Sequence, residues 1–186
     1  REKAEQYRQT RKWKIVEEPG RGYRRGVPSL PPVKIMEIDV IKALVDEGKI
    51  VIAAGGGGIP ISYNAKGMLE GIEAVIDTER VACMVAQSVN ANVLLLIVDR
   101  DDKFIRSGLM MDKLSVISLN ELDEILQQEI IQSGTVQGAL RAASEFLHKG
   151  GEQVMISSLG KLADNLINKR GLRIGSSRPS IDLFQI

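Results

Sequence analysis

The run Val51-Ile52-Ala53-Ala54, followed at once by Gly55, Gly56, Gly57 and Gly58, constrains this chain more than any other stretch. Continuous apolar residues over Ile50–Ala54 predict a buried strand, and the four glycines predict a turn that carries no side chains. Glycine reaches positive φ without a Cβ penalty, and it lets backbone N–H groups come close to a ligand. A turn of this kind at the carboxyl end of a parallel strand is where open α/β sheets bind anions. At least one of Gly55–Gly58 is therefore expected at positive φ, with N–H groups facing a cavity. The plainer alternative is a tight strand-to-loop bend.

The rest of the chain alternates elements. Residues 2–11 are charged and helix-compatible, and Trp13–Glu17 reads as a short strand before a Pro-, Gly- and Arg-rich loop over Glu18–Lys34. A helix over Asp39–Glu47, with Gly48 as its C-cap, precedes the glycine run. Then come a helix over Glu79–Val89 and a strand over Val93–Val98. Ser118 and Glu121 form a capping-box pattern ahead of apolar residues at helical spacing. A helix over Val136–Lys149, a strand over Gln153–Ser157, a helix over Leu159–Asn168 and a strand over Leu172–Ile174 complete the order. Strands alternating with helices predict an α/β fold: a three-layer αβα sandwich on a mainly parallel sheet.

Composition removes several function classes. The 25 Lys and Arg nearly cancel the 24 Asp and Glu, so no global field recruits nucleic acid or an anionic membrane. Aromatic residues make up 4% of the chain, too few for stacking along single-stranded nucleic acid. No apolar run reaches the length of a membrane span. The single cysteine, Cys83, excludes an internal disulfide and suits a reducing compartment, the cytoplasm or an organelle matrix. It lies in an apolar helical stretch, which reads as a buried and inert thiol rather than a nucleophile. His148, the only histidine, sits at a helix end and reads as a partner of the helix dipole. Asp99, Asp101 and Asp102 read as a solvated loop rather than a magnesium site, and no metal site is expected. Arg24 and Arg25 could bind a phosphate or pair within the fold.

Two further segments flank the glycine run, Gly22-Tyr-Arg-Arg-Gly-Val-Pro-Ser29 and Gly71-Ile-Glu-Ala-Val-Ile-Asp77. In this order the set resembles carbamate kinase, of the amino-acid kinase superfamily. The family pattern is approximately Tyr/Trp-Arg-Arg-Val-Val-Pro-Ser-Pro, Gly-Gly-Gly-Gly-Ile-Pro, then Gly-Val-Glu-Ala-Val-Ile-Asp-Lys-Asp. The resemblance runs from about residue 5 to Ile174 and covers the carboxyl-terminal part of the family pattern. It implies the amino-acid kinase fold, incomplete at the amino-terminal side, with residues expected before Arg1. It divides the chain into a nucleotide-binding part, 1–174, and a carboxyl-terminal extension, 175–186. It further implies ATP or ADP with magnesium, and a homodimer or a subunit of a larger assembly. By resemblance, Gly55–Gly58 form the phosphate or substrate loop, Asp77, Asp101, Gly134 and Thr135 bind nucleotide, and Glu79 is the catalytic position.

The departures from the pattern bear on activity. The family's Lys-Asp pair after Val-Ile-Asp, phosphate contact and organiser of the catalytic lysines, is Thr78-Glu79 here. Its second lysine ends a Gly-Ser-Met-x-Pro-Lys stretch, and alignment on Ala142-Ala143-Ser144-Glu145-Phe146 puts Ala139 there. Phosphoryl transfer is mostly positioning and charge stabilisation, with a single donor worth roughly 3–4 kcal/mol. Losing two cations predicts weak or absent catalysis of ATP plus carbamate to ADP plus carbamoyl phosphate. The alternative is a non-catalytic structural or binding subunit. The tail supports that alternative, because Ile181, Leu183, Phe184 and Ile186 follow a polar hinge and make a poor solvated end.

Overall fold

The computed structural model describes residues 1–18, 20, 22–98, 115–128, 135–167 and 171–175. Helix α1 (Glu2–Arg11) leads into strand β1 (Lys14–Glu18), which pairs antiparallel with β2 (Gly22–Gly26). The expected loop over 18–34 is thus partly sheet, since β2 and β3 (Ser29–Leu30) lie inside it. Ladder hydrogen bonds come from the backbone, so the arginine-rich composition that suggested a loop does not prevent pairing. Gly26 lies tight against β1, where a Cβ would stand 2.9 Å from Val16 Cγ2. The Arg25 guanidinium lies 4.2 Å over the Trp13 ring, which Tyr7 at 5.1 Å and Arg11 at 5.6 Å also approach, and it pairs with Glu73. Arg25 is therefore an internal partner.

Helix α2 (Ile38–Asp46) ends as expected at Gly48. Gly48 takes φ +76°, its N–H donates to the Val45 carbonyl, and the Lys49 N–H donates to the Leu44 carbonyl. These two bonds are the Schellman closure, and they need the left-handed residue at Gly48. The predicted strand Ile50–Ala54 does not form. Those residues belong to no ladder, and Ala54 turns left-handed at φ +53°. A strand exists through its neighbour, and none of the described strands pairs with this one. Ile50 and Ile52 are consequently 99% and 98% exposed.

After the glycine turn, β4 (Ile61–Tyr63) and β5 (Leu69–Gly71) form a hairpin, and β6 (Val75–Ile76) pairs parallel with β3. Helix α3 (Thr78–Ser88) follows directly, then β7 (Val93–Val98), β8 (Ser115–Ser118) and α4 (Leu119–Gln127). The Ser118–Glu121 capping box is present in both directions. Helix α5 (Thr135–His148), β9 (Gln153–Ser158), α6 (Leu162–Ile167) and β10 (Leu172–Gly175) complete the described chain. The helix expected over Leu159–Asn168 begins instead as a 3-10 turn, Leu159–Lys161.

The main sheet has the order β7-β9-β10-β8. β7 and β9 are parallel, β10 and β8 are parallel, and β9 and β10 are antiparallel, so the sheet is mixed. One face carries Leu94, Leu96, Val154, Ile156, Leu172 and Ile174, all buried against α3, α4 and α5. α6 covers part of the other face, where buried Asn165 donates a 2.8 Å hydrogen bond to the Ser157 hydroxyl. This is the expected αβα arrangement. No helix among the described residues is long and apolar enough to cross a membrane.

Candidate functional site

The site is built where two sequence-local devices meet. The first is the glycine turn. Gly56, Gly57 and Gly58 have φ of +63°, +89° and +90°, which meets the expectation of positive φ. The N–H of Gly57 donates to the Ala54 carbonyl and that of Gly58 to the Gly55 carbonyl, so two of the four amides are spent closing the turn. Of the four, only Gly57 is buried, and a Cβ on it would lie 2.6 Å from the Ile76 carbonyl oxygen. That contact fixes the turn against the end of β6, one residue before Asp77.

The second device is the start of α3. The Asp77 carboxylate accepts from the N–H groups of Glu79 at 3.1 Å and Arg80 at 3.2 Å. A carboxylate at this place satisfies two orphan donors and favours the positive end of the helix. The Thr78 hydroxyl donates to Glu79 Oε2 at 2.8 Å. Asp77 and Glu79 are half-buried, whereas Thr78 is exposed.

Helix α5 brings in the third part. A Cβ on Gly138 would lie 3.8 Å from Asp77 Oδ2 and 4.0 Å from the Glu79 carboxyl carbon. The amino-terminal turns of α3 and α5 therefore face each other next to the glycine turn. Ala139 points elsewhere: it is fully buried in the core with Ala142, Ala143, Cys83 and Ala86. The alignment that put Ala139 at the lysine position thus lands on a residue that faces the core, and Gly138 is the one turned to the carboxylates. Helix geometry separates consecutive residues by about 100° around the axis, so Gly138 and Ala139 meet different surroundings. None of Gly55–Gly58, Asp77, Thr78, Glu79 and Gly138 is cationic. Arg80, the next residue along α3, has its guanidinium 3.9 Å from Glu145.

Asp101 and Gly134 lie outside the described residues, as do Asp99, Asp102 and the 176–186 tail. Thr135 begins α5, which puts its backbone at the same end as Gly138. The glycine run also borders a groove of about 330 Å³ between α2 and α3. Ala53, Ala54 and Thr78 line it together with aliphatic residues of both helices, and none of the glycines does, so this groove is apolar and distinct from the turn.

Two other residues are defined by their surroundings. His148 Nε2 lies 2.8 Å from Asp123 Oδ2, and the Ser144 hydroxyl donates to Asp123 Oδ1 at 2.7 Å. The histidine thus has a side-chain partner on α4 as well as its expected place at the carboxyl end of α5. Cys83 is buried, and burial, reinforced by the nearby Glu145 carboxylate, pushes its thiol up to about 11. It is an inert core thiol, as its apolar setting predicts.

Comparison with known proteins agrees with this geometry. A sequence profile described as the amino acid kinase family matches residues 8–158. The carbamate kinase of Staphylococcus haemolyticus is 35% identical over 94% of this chain, and the match covers 57% of that protein. The carbamate kinase of Thermococcus kodakarensis is 35% identical over 87% of this chain and 51% of its own length. Among solved structures, the Giardia lamblia carbamate kinase bound to AMP-PNP superposes with a TM-score of 0.74 at 31% identity, covering 94% of this chain and 55% of that one. The chain therefore spans a little over half the length of the relatives it matches. With the family profile matching most of its length and relatives at 35% identity, the chain belongs to the amino acid kinase family and is similar within it to the carbamate kinases.

Proposed function

We propose that this chain is the nucleotide-side part of a diverged carbamate-kinase-like protein, able to hold the phosphates of ATP or ADP but with phosphotransfer weak or lost. The observation that carries the proposal is the juxtaposition of the glycine turn with the amino-terminal ends of α3 and α5, where Thr78, Glu79 and Gly138 stand and none of these three is cationic. Helix amino termini and left-handed glycine turns both present N–H groups to anions, which supports phosphate binding. Phosphoryl transfer needs more, because charge spreads over the equatorial oxygens as the group moves and must be neutralised. Lysines and a divalent metal ion supply that neutralisation in kinases generally. Thr78, Glu79 and Gly138 cannot, since a hydroxyl is neutral, a carboxylate repels phosphate and glycine brings no group. Among the described residues beside the turn, Glu79 and the Oδ2 atom of Asp77 are the carboxylate groups that would meet a metal ion carried in with the nucleotide.

The AMP-PNP found in the Giardia lamblia relative gives the probe. Titration of the protein with AMP-PNP and magnesium, followed calorimetrically, should show binding. A coupled assay of ADP phosphorylation from carbamoyl phosphate should show negligible turnover. Robust turnover by the unmodified protein would reject the loss of catalysis, and absence of nucleotide binding would reject the phosphate-site reading. A second reading, a non-catalytic subunit of a larger assembly, is favoured by the aliphatic residues left in water around Ile52.

A further inference from the structure

Arg80 is the third residue of α3 and follows Glu79, the carboxylate that meets Gly138. Its place is electrostatically poor for a cation. The amino end of a helix carries partial positive charge, so a guanidinium there is disfavoured until an anion arrives to balance it. The partner it has is a loose one. The Arg80 guanidinium lies 3.9 Å from Glu145 of α5, beyond hydrogen-bond distance, and its side chain is 46% exposed. The Glu145 carboxylate is bonded instead by Lys149 at 3.0 Å, and Lys149 also reaches Gln87 at 3.3 Å. An exposed pair as long as that of Arg80 and Glu145 holds its arginine weakly, and Glu145 keeps a close ion pair when Arg80 departs.

Arg80 is also within reach of the glycine turn. Its N–H bonds to Asp77 Oδ1 at 3.2 Å, which puts its backbone beside the carboxylate that Gly138 faces. Gly138 and Glu145 lie seven residues apart on one face of α5, a rise of about 10 Å. Side chains of a helix lean toward its amino terminus, so rotation about the Arg80 torsions carries the guanidinium from Glu145 back toward Gly138. Asp77, Thr78, Glu79 and Gly138 bring two carboxylates and no cation to that place. We propose, on the phosphate-binding reading of this site, that Arg80 is the residue that supplies the positive charge: it leaves Glu145 when a nucleotide enters and donates its planar fork of N–H groups to the polyphosphate. Arginine suits this because its charge is permanent and its fork matches phosphate oxygens in pairs. Glu145 is then the competitor that the nucleotide displaces.

Calorimetric titration with AMP-PNP and magnesium tests this on the unmodified chain and on Arg80→Gln, Arg80→Lys and Glu145→Gln. Arg80→Gln should weaken binding about tenfold, and Arg80→Lys, which keeps the charge without the fork, should recover part of that loss. Glu145→Gln should act in the opposite direction and tighten binding about threefold, since it removes the competitor for Arg80. Arg80→Gln should leave the thermal midpoint of the chain nearly unchanged, because the pair it breaks is long and exposed. Opposite signs are what a purely structural arginine could not give. If the pair served only to join α3 to α5, both substitutions would weaken binding alike, and the proposal would fall. Equal affinity of Arg80→Gln and the unmodified chain would overturn it too, while leaving the phosphate-site reading intact. Absence of AMP-PNP binding by the unmodified chain would instead overturn that reading and the role of Arg80 together.

Discussion

Gly57 packs so closely on the carbonyl oxygen of Ile76 that a single added methyl group would lie 2.6 Å from it. The contact joins two elements that are distant in sequence, the glycine turn and the end of β6, and thereby sets where the turn lies relative to Asp77.

Gly57→Ala should therefore be costlier than Gly55→Ala. The left-handed φ of +89° alone should cost about 1–3 kcal/mol, and the close contact is with backbone that cannot rotate away. Gly55 has open space around its Cβ position, so Gly55→Ala should stay within about 0.5 kcal/mol of the unmodified protein. Urea unfolding of the two variants checks the contrast, and equal costs would mean the turn is not held by Ile76.

Restoring charge should succeed at one position and fail at another. Thr78 is exposed at the amino end of α3, and Thr78→Lys should leave stability within about 0.5 kcal/mol. By supplying a cation beside the turn it should tighten AMP-PNP binding about fivefold, the equivalent of roughly 1 kcal/mol. Ala139 is fully buried, so Ala139→Lys should destabilise on the order of 3–5 kcal/mol instead of helping catalysis. Calorimetric titration and thermal unfolding separate these outcomes. A stable and active Ala139→Lys variant would show that α5 presents residue 139 to the site.

The cap on α3 should be measurable by itself. Asp77→Ala removes the acceptor for the N–H groups of Glu79 and Arg80 and should cost about 0.5–2 kcal/mol. Asp77→Asn keeps an acceptor and should recover most of that loss. If both substitutions cost the same, the charge of Asp77 rather than its capping bonds is what the fold uses.

The pH dependence at the alkaline end should come from Cys83. Its thiol ionises near 9 when unperturbed, and burial pushes it up to about 11 in the folded chain. The folded state therefore holds a proton that the unfolded state releases between pH 9 and about 11. The stability that the neutral thiol contributes is complete below pH 9 and is lost as pH rises toward 11. Cys83→Ala should flatten this part of the profile in denaturant melts at stepped pH. Rapid modification of Cys83 by a thiol reagent at pH 8 without unfolding would contradict its burial.

The sequence by itself determined the local devices: the glycine turn, the Gly48 cap, the Ser118–Glu121 box and the alternation of elements. Each depends on residues within a few positions of one another, where φ preference and side-chain reach act directly. It also carried the family pattern, because Gly55–Gly58 and the Val75-Ile76-Asp77 stretch keep their order and spacing along the chain. Only the tertiary structure decided the relations across the chain. That Gly138 and not Ala139 faces Asp77 depends on the rotation of α5 about its axis, which the packing of Ala139, Ala142 and Ala143 on α3 fixes. That His148 meets Asp123 depends on where α4 lies against α5. The strand read from Ile50–Ala54 failed for a complementary reason. Its residues have the composition of a buried strand, but a strand also needs a neighbour to bond with, and none of the described strands pairs with it.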